Sequence, residues 1–168
     1  VQAASMYVYL VLYVLCICYA MWTDLTRLLI PNLVSIVLLA LFVPFAVFSF
    51  EPMLILQHVG VALAVFVVTV TFYALGWMGA GDVKFMTAAS VWMGPSLILN
   101  IIVHMGLLGA IFAVFILLTR KYADLWRGVA VRVPPLEYII ALADKRRVPY
   151  GVPIGGAALW AAPKVFML

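Results

Sequence analysis

Apolar runs of about 16–24 residues follow one another along this chain, divided by short polar turns, and none alternates with a period of two. That pattern leaves few ways to fold. In hydrocarbon every backbone polar group must be satisfied within the chain, so only helices and closed barrels can span a bilayer. Barrel strands would alternate over about ten residues, so a barrel is excluded. With 68% of its 168 residues hydrophobic and 10% charged, the chain is too apolar for a globule with one buried core. The reading is an all-α polytopic membrane protein, one domain over 1–168. Six transmembrane helices are predicted at about 6–22, 33–50, 54–77, 83–95, 96–119 and 150–168. Gly94-Pro95 forms the turn between the fourth and fifth, and Glu51, before Pro52, caps the outer end of the turn between the second and third. The "VQAAS" before Met6 reads as an expression leftover or a processed start and carries no weight for the fold.

Charge orients these spans. If the turn holding Asp24 and Arg27 faces the cytoplasm, alternation puts Lys84 and the whole 120–149 connection on the same side. That side then collects Arg27, Lys84, Arg120, Lys121, Arg127, Arg132, Lys145, Arg146 and Arg147, nine of the ten basic residues, and leaves only Lys164 opposite. Basic residues near span ends favour the cytoplasm. Both termini are therefore expected outside it, in a multi-pass membrane protein. The net charge of +4 follows from topology and calls for no nucleic acid. Within 120–149, Leu136, Ile139, Ile140 and Ala143 recur at helical spacing after Pro134-Pro135, which predicts an amphipathic helix on the inner membrane surface; the plainer alternative is a solvated basic loop.

Against this background six acids stand out. Asp124, Glu137 and Asp144 lie among the cations of the connection, and Glu51 at a hairpin end. Asp24 and Asp82 end helices on the cytoplasmic side, where a carboxylate facing the bilayer is costly unless turned to the bundle interior or to a water-filled cavity. Either alone reads as an interfacial residue bonded to a helix end. Together, at one depth and on one side, they read as a catalytic pair. Two adjacent carboxylates do not both ionise easily and share one proton. One then takes a proton from water while the other polarises a carbonyl, the chemistry of aspartic proteases, with no metal and no cofactor. Gly79 and Gly81, lacking Cβ, leave room for a substrate backbone beside Asp82 and let the helix break there; small-residue helix packing also accounts for the glycines, though not for the acid.

The remaining polar residues have plainer readings. Lys84, two positions past Asp82, falls mostly on another side of the helix and snorkels to the surface, with substrate contact the lesser alternative. Pro31 and Asn32 open the second span, Asn32 capping its exposed amides. Tyr150 and Gly151 line the site entrance or serve as an interfacial aromatic and a helix-start glycine. His58 and His104 stand alone on apolar helices as satisfied core or interfacial residues. Cys16 and Cys18, two apart in the first span, are packing residues and not a zinc set. No Ser–His or Cys–His arrangement is seen.

These residues carry a resemblance. "GAGD" (Gly79–Asp82) resembles the GxGD signature of intramembrane aspartyl proteases, "DLTRLLIPN" (Asp24–Asn32) the first-aspartate motif of type IV prepilin peptidases, and "VPYGVPIGGAA" (Val148–Ala158) the closing motif of their short, Tad/Cpa-type members. The resemblance implies that Asp24 and Asp82 are the catalytic aspartates and that the substrates are pilin precursors (prepilins). It also implies a cut at the cytoplasmic membrane edge, after a small residue, usually Gly. Longer members carry a zinc-binding CxxC domain linked to N-methylation. Only two cysteines occur here, which puts N-methyltransferase activity in doubt. Two other classes remain open: a small transporter or channel component using the two aspartates as a proton or cation site, and a scaffold subunit whose aspartates tolerate Asn.

Overall fold

The computed structural model describes residues 2–122 and 149–166. These form five helices: α1 (Gln2–Arg27), α2 (Asn32–Ser49), α3 (Pro52–Ala74), α4 (Ala80–Lys121) and α5 (Gly151–Phe166). Four of them, α1 to α4, are long and apolar enough to cross a membrane. The chain is thus a helical membrane protein. The amphipathic helix expected within 120–149 lies outside the described residues, as do Arg127, Arg132, Lys145, Arg146 and Arg147. The backbone of α1 is already helical before Met6.

Prolines mark the helix starts. Pro31, with φ −63° and ψ 139°, is the residue before α2, and Pro52 opens α3 after Glu51; proline lacks only an amide that a first turn leaves unused anyway. Glu51 holds the N-cap position of α3 as expected, yet its side chain makes no capping hydrogen bond.

At 42 residues, α4 would be about 63 Å long if straight, twice the ~30 Å of bilayer hydrocarbon. It breaks at Gly94, where φ is 56° and ψ −170°, a region open to almost nothing but glycine. Beyond the break the chain doubles back, so that Met86 and Met93 face Ile98 and Met105 across a small apolar gap closed by Ile154 of α5. The turn expected at Gly94-Pro95 is therefore present, between two helical segments that abut at Gly94. Pro95 has no N–H for the carbonyl of Val91, four residues back. His58 of α3 supplies one: its Nδ1 donates to Val91 O at 2.7 Å. The imidazole lies against Gly94 so closely that a Cβ there would sit 2.7 Å from its Cδ2. His58 is thus a buried, satisfied histidine that seals the turn. Gly94→Ala combines a disallowed backbone angle with this collision, and is expected to cost about 3 kcal/mol or more. Thermal unfolding in detergent checks this; Gly94→Ala/His58→Ala should recover part of the loss, the part due to the ring.

The buried core runs along the bundle from Ile30 to Phe166, and its aromatic cluster lies towards the end away from the acids. Trp92 of α4 packs on Tyr13 of α1, Phe45 of α2 and Phe166 of α5 with ring centroids 5.1, 5.2 and 5.5 Å away, and donates its indole N–H to Leu38 O at 3.1 Å. Such ring pairs add about 0.5–1.5 kcal/mol each beyond their buried area. One cluster therefore ties four helices together. Tyr13 and Trp92 stand about 15 Å along their helices from Asp24 and Asp82, so the aromatic cluster is set well back from the acids. Towards them, α5 closes on α1 through glycine: a Cβ on Gly155 would lie 2.7 Å from Met21 Sδ and 3.2 Å from Ile17 Cγ2.

Candidate active site

Four helix ends meet at the other end of the bundle. These are the last turn of α1 and the first turns of α2, α4 and α5. Between the first three runs a cleft of about 410 Å³, lined by Asp24, residues 28–32, Gly79, Ala80, Gly81, Asp82 and Lys84. Asp24 and Asp82, 58 residues apart in sequence, thus open onto one space.

Each carboxylate is held by a backbone amide. Asp82, in the first turn of α4, accepts from Gly79 N–H through Oδ2 at 3.2 Å, a return bond that caps its own helix. Asp24 is 5% exposed, and its Oδ2 accepts from Gly151 N–H, the first residue of α5, at 2.7 Å. The first bond is local and exposed, the second long-range and buried.

The turn from α1 to α2 forms the cleft's apolar wall. α1 stops as Leu28 enters the left-handed region, φ 53°, with its N–H bonded to Asp24 O at 2.9 Å. That is a helix stop in which glycine is the usual residue, and leucine there is strained by about 1 kcal/mol. The chain then returns beneath the acids, and Ile30 is wedged between two helix starts. A Cβ on Gly81 would meet Ile30 Cβ at 3.4 Å and its backbone N and O at 3.6 Å; one on Gly151 would meet Ile30 Cδ1 at 2.8 Å. The space beside Gly81 is therefore taken by Ile30. At Gly79 a Cβ would meet Asp82 Oδ2 at 3.0 Å.

One expectation needs correction. Asn32 caps nothing: Pro31 precedes the helix without a side-chain bond, and Asn32 Oδ1 instead accepts from Lys84 Nζ at 2.9 Å. Lys84, exposed as expected, also lines the cleft onto which Asp82 opens. Pro31 and Asn32 both reach the cleft wall, whereas Tyr150, 40% exposed, is not among the residues lining it. Ile30 and Leu28 were missed as site residues. The signal was present in Pro31, which stops α1 early and demands a tight turn. Cys16 and Cys18 are unpaired, and among the described residues no group of three or more His, Cys, Asp or Glu gathers to hold a metal. His104 stacks on Trp160 at 3.7 Å, away from the cleft.

Fold and site together define a polytopic helical membrane protein with two acids on one cleft at the bundle end. Residues 10–114 match the model of the type IV leader peptidase family, and the chain belongs to that family. No curated protein and no solved structure matches it. Membership implies aspartic peptidase activity in general, and pilin precursors as the general class of substrate.

Proposed function

We propose that the chain is an aspartic endopeptidase that removes the leader from type IV or Flp-like pilin precursors at the cytoplasmic face of the bacterial inner membrane. The observation that carries this reading is the shared cleft of Asp24 and Asp82. With one proton between them, the ionised carboxylate takes a proton from water as its oxygen attacks the scissile carbonyl carbon. The protonated carboxyl gives its proton to the carbonyl oxygen. Collapse of the tetrahedral intermediate breaks the C–N bond: the leaving amine takes the proton from the protonated carboxyl, one hydroxyl of the intermediate gives its proton to the ionised carboxylate, and the pair again holds one proton. The cleft lies at helix ends, so it meets a substrate where its apolar helix leaves the bilayer. Gly before the cut favours the extended form a cleavable bond needs, since Gly costs a helix about 1 kcal/mol relative to Ala. Co-expression with a candidate precursor tests the function: leader loss on a gel supports it, and an unshifted precursor contradicts it.

The proposed topology has six crossings, the two halves of α4 counting separately and α5 last, with both termini outside the cytoplasm. The described cations Arg27 and Lys84 belong to the acid end of the bundle, which is the cytoplasmic end by the excess of basic residues there. Reporter fusions at Leu168 and within 123–148 are expected to give opposite answers, the second cytoplasmic. A cytoplasmic C-terminus overturns the count.

A further inference from the structure

We infer that the main-chain N–H of Gly151 is the positioning group for Asp24, so that α5, outside the stretch matching the family, completes the active site. This rests on the peptidase reading above.

Asp24 sits in the last turn of α1, ahead of Arg27. That is the end of a helix where unpaired carbonyls point outward and a negative charge is least welcome. A carboxylate kept there, and buried, needs a donor from elsewhere. The first residue of α5 provides one, because a helix start has amides without intrahelical partners. The bond from Gly151 N–H to Asp24 Oδ2 is 2.7 Å long and buried, and among the described residues no hydrogen bond reaches Oδ1. One oxygen is thereby fixed and the other left for the cleft.

Glycine is what permits the approach. A Cβ at position 151 would stand 2.7 Å from Asp24 Oδ2 and 3.0 Å from Asp24 Cβ, so any other residue pushes the amide and the acid apart. Gly155, one turn on, repeats the device against Met21 and Ile17. Two glycines four apart place one face of α5 directly on α1, the close packing that small residues allow between membrane helices. The seam at Gly155 sets the distance of the bond at Gly151. Asp82 needs no such partner, being held by Gly79 of its own helix start. The two acids are therefore positioned independently, one locally and one by α5.

The test replaces Gly151 with glycolate, a backbone ester that deletes the N–H and adds no side chain. The full-length chain is assayed in liposomes with a purified precursor. The expected result is a kcat lower by about ten- to a hundredfold, as for one lost hydrogen bond to a charged group. KM should stay within about twofold, because the substrate's own contacts are untouched. Gly151→Ala should lower kcat at least as far. An ester with the wild-type kcat, or one whose loss is all in KM, overturns the positioning role. In wild-type protein a second readout needs no ester: the Gly151 amide proton signal should lie far downfield and move upfield in Asp24→Ala, and an unmoved signal also overturns it. Asp24→Asn is run in parallel. If it is inactive while the ester is normal, only the role of Gly151 falls; if it is active, the peptidase reading itself falls.

Discussion

Asp24→Asn and Asp82→Asn are each expected to lower leader removal by about a thousandfold or more, with protein level and membrane insertion unchanged. General acid–base groups contribute about 10²–10⁴-fold each, and in a pair that shares one proton the loss of either disables both steps. The fold should survive because the amide is nearly isosteric. Its oxygen can still accept from Gly151 N–H in one variant and from Gly79 N–H in the other. Neither amide can take a proton from water. Quantitative gel shift of a co-expressed precursor measures the effect, with circular dichroism of the purified variants as the control for folding. Cleavage within tenfold of wild type by either variant rules out a catalytic pair. It would favour a scaffold role, or an ion site in which the acids serve another purpose.

Gly81→Leu is expected to abolish processing, by about a hundredfold or more, with both acids in place. A Cβ at this position already touches Ile30 at 3.4 Å, and Ile30 is only 6% exposed, so the remaining three carbons have no space on that side. Either the 28–31 turn shifts, carrying the end of α1 and Asp24 with it, or the leucine side chain fills the cleft. A displacement of about 1 Å at a reacting group can cost about 10²-fold in rate, and overpacking adds about 1–3 kcal/mol of strain. Gly81→Ala, at ordinary contact distance, should lose no more than a few-fold. The two routes are separable by a double mutant. If the leucine acts through Ile30, adding Ile30→Ala restores part of the activity; if it acts only by blocking the substrate, Ile30→Ala restores none. Normal processing by Gly81→Leu shows that neither effect operates.

Much of this arrangement was legible in the sequence because it rests on local chemistry. The apolar runs define helices whatever their neighbours, and Gly94-Pro95 cannot continue an ordinary helix, so a reversal there was readable. That Asp24 and Asp82 meet follows from each lying at a helix end on the same side of a chain that crosses back and forth. What was not legible depends on contacts between distant segments. Asn32 has the side chain of a helix cap, yet a lysine 52 positions away claims its oxygen. Lys84 by angle alone belongs on another side of α4 from Asp82, yet it lines the same cleft and bonds to Asn32 of α2. Nothing local reveals that Ile30 fills the space two glycines vacate, or that the amide answering Asp24 comes from 127 residues further along. Gly79 and Gly81 were read as room for a substrate. In the folded chain part of that room is already occupied, by Asp82's own carboxylate at one and by Ile30 at the other.

Intact mass analysis of a single purified precursor, incubated with the purified full-length chain in liposomes, tests the central claim most directly. The expected result is two products whose masses sum to precursor plus one water, from one cut at the junction of the polar leader and the apolar helix. Neither product should form with Asp24→Asn or Asp82→Asn. A precursor left whole by the wild-type chain, or cut equally by the Asn variants, would contradict the assignment of these two aspartates as the hydrolytic pair.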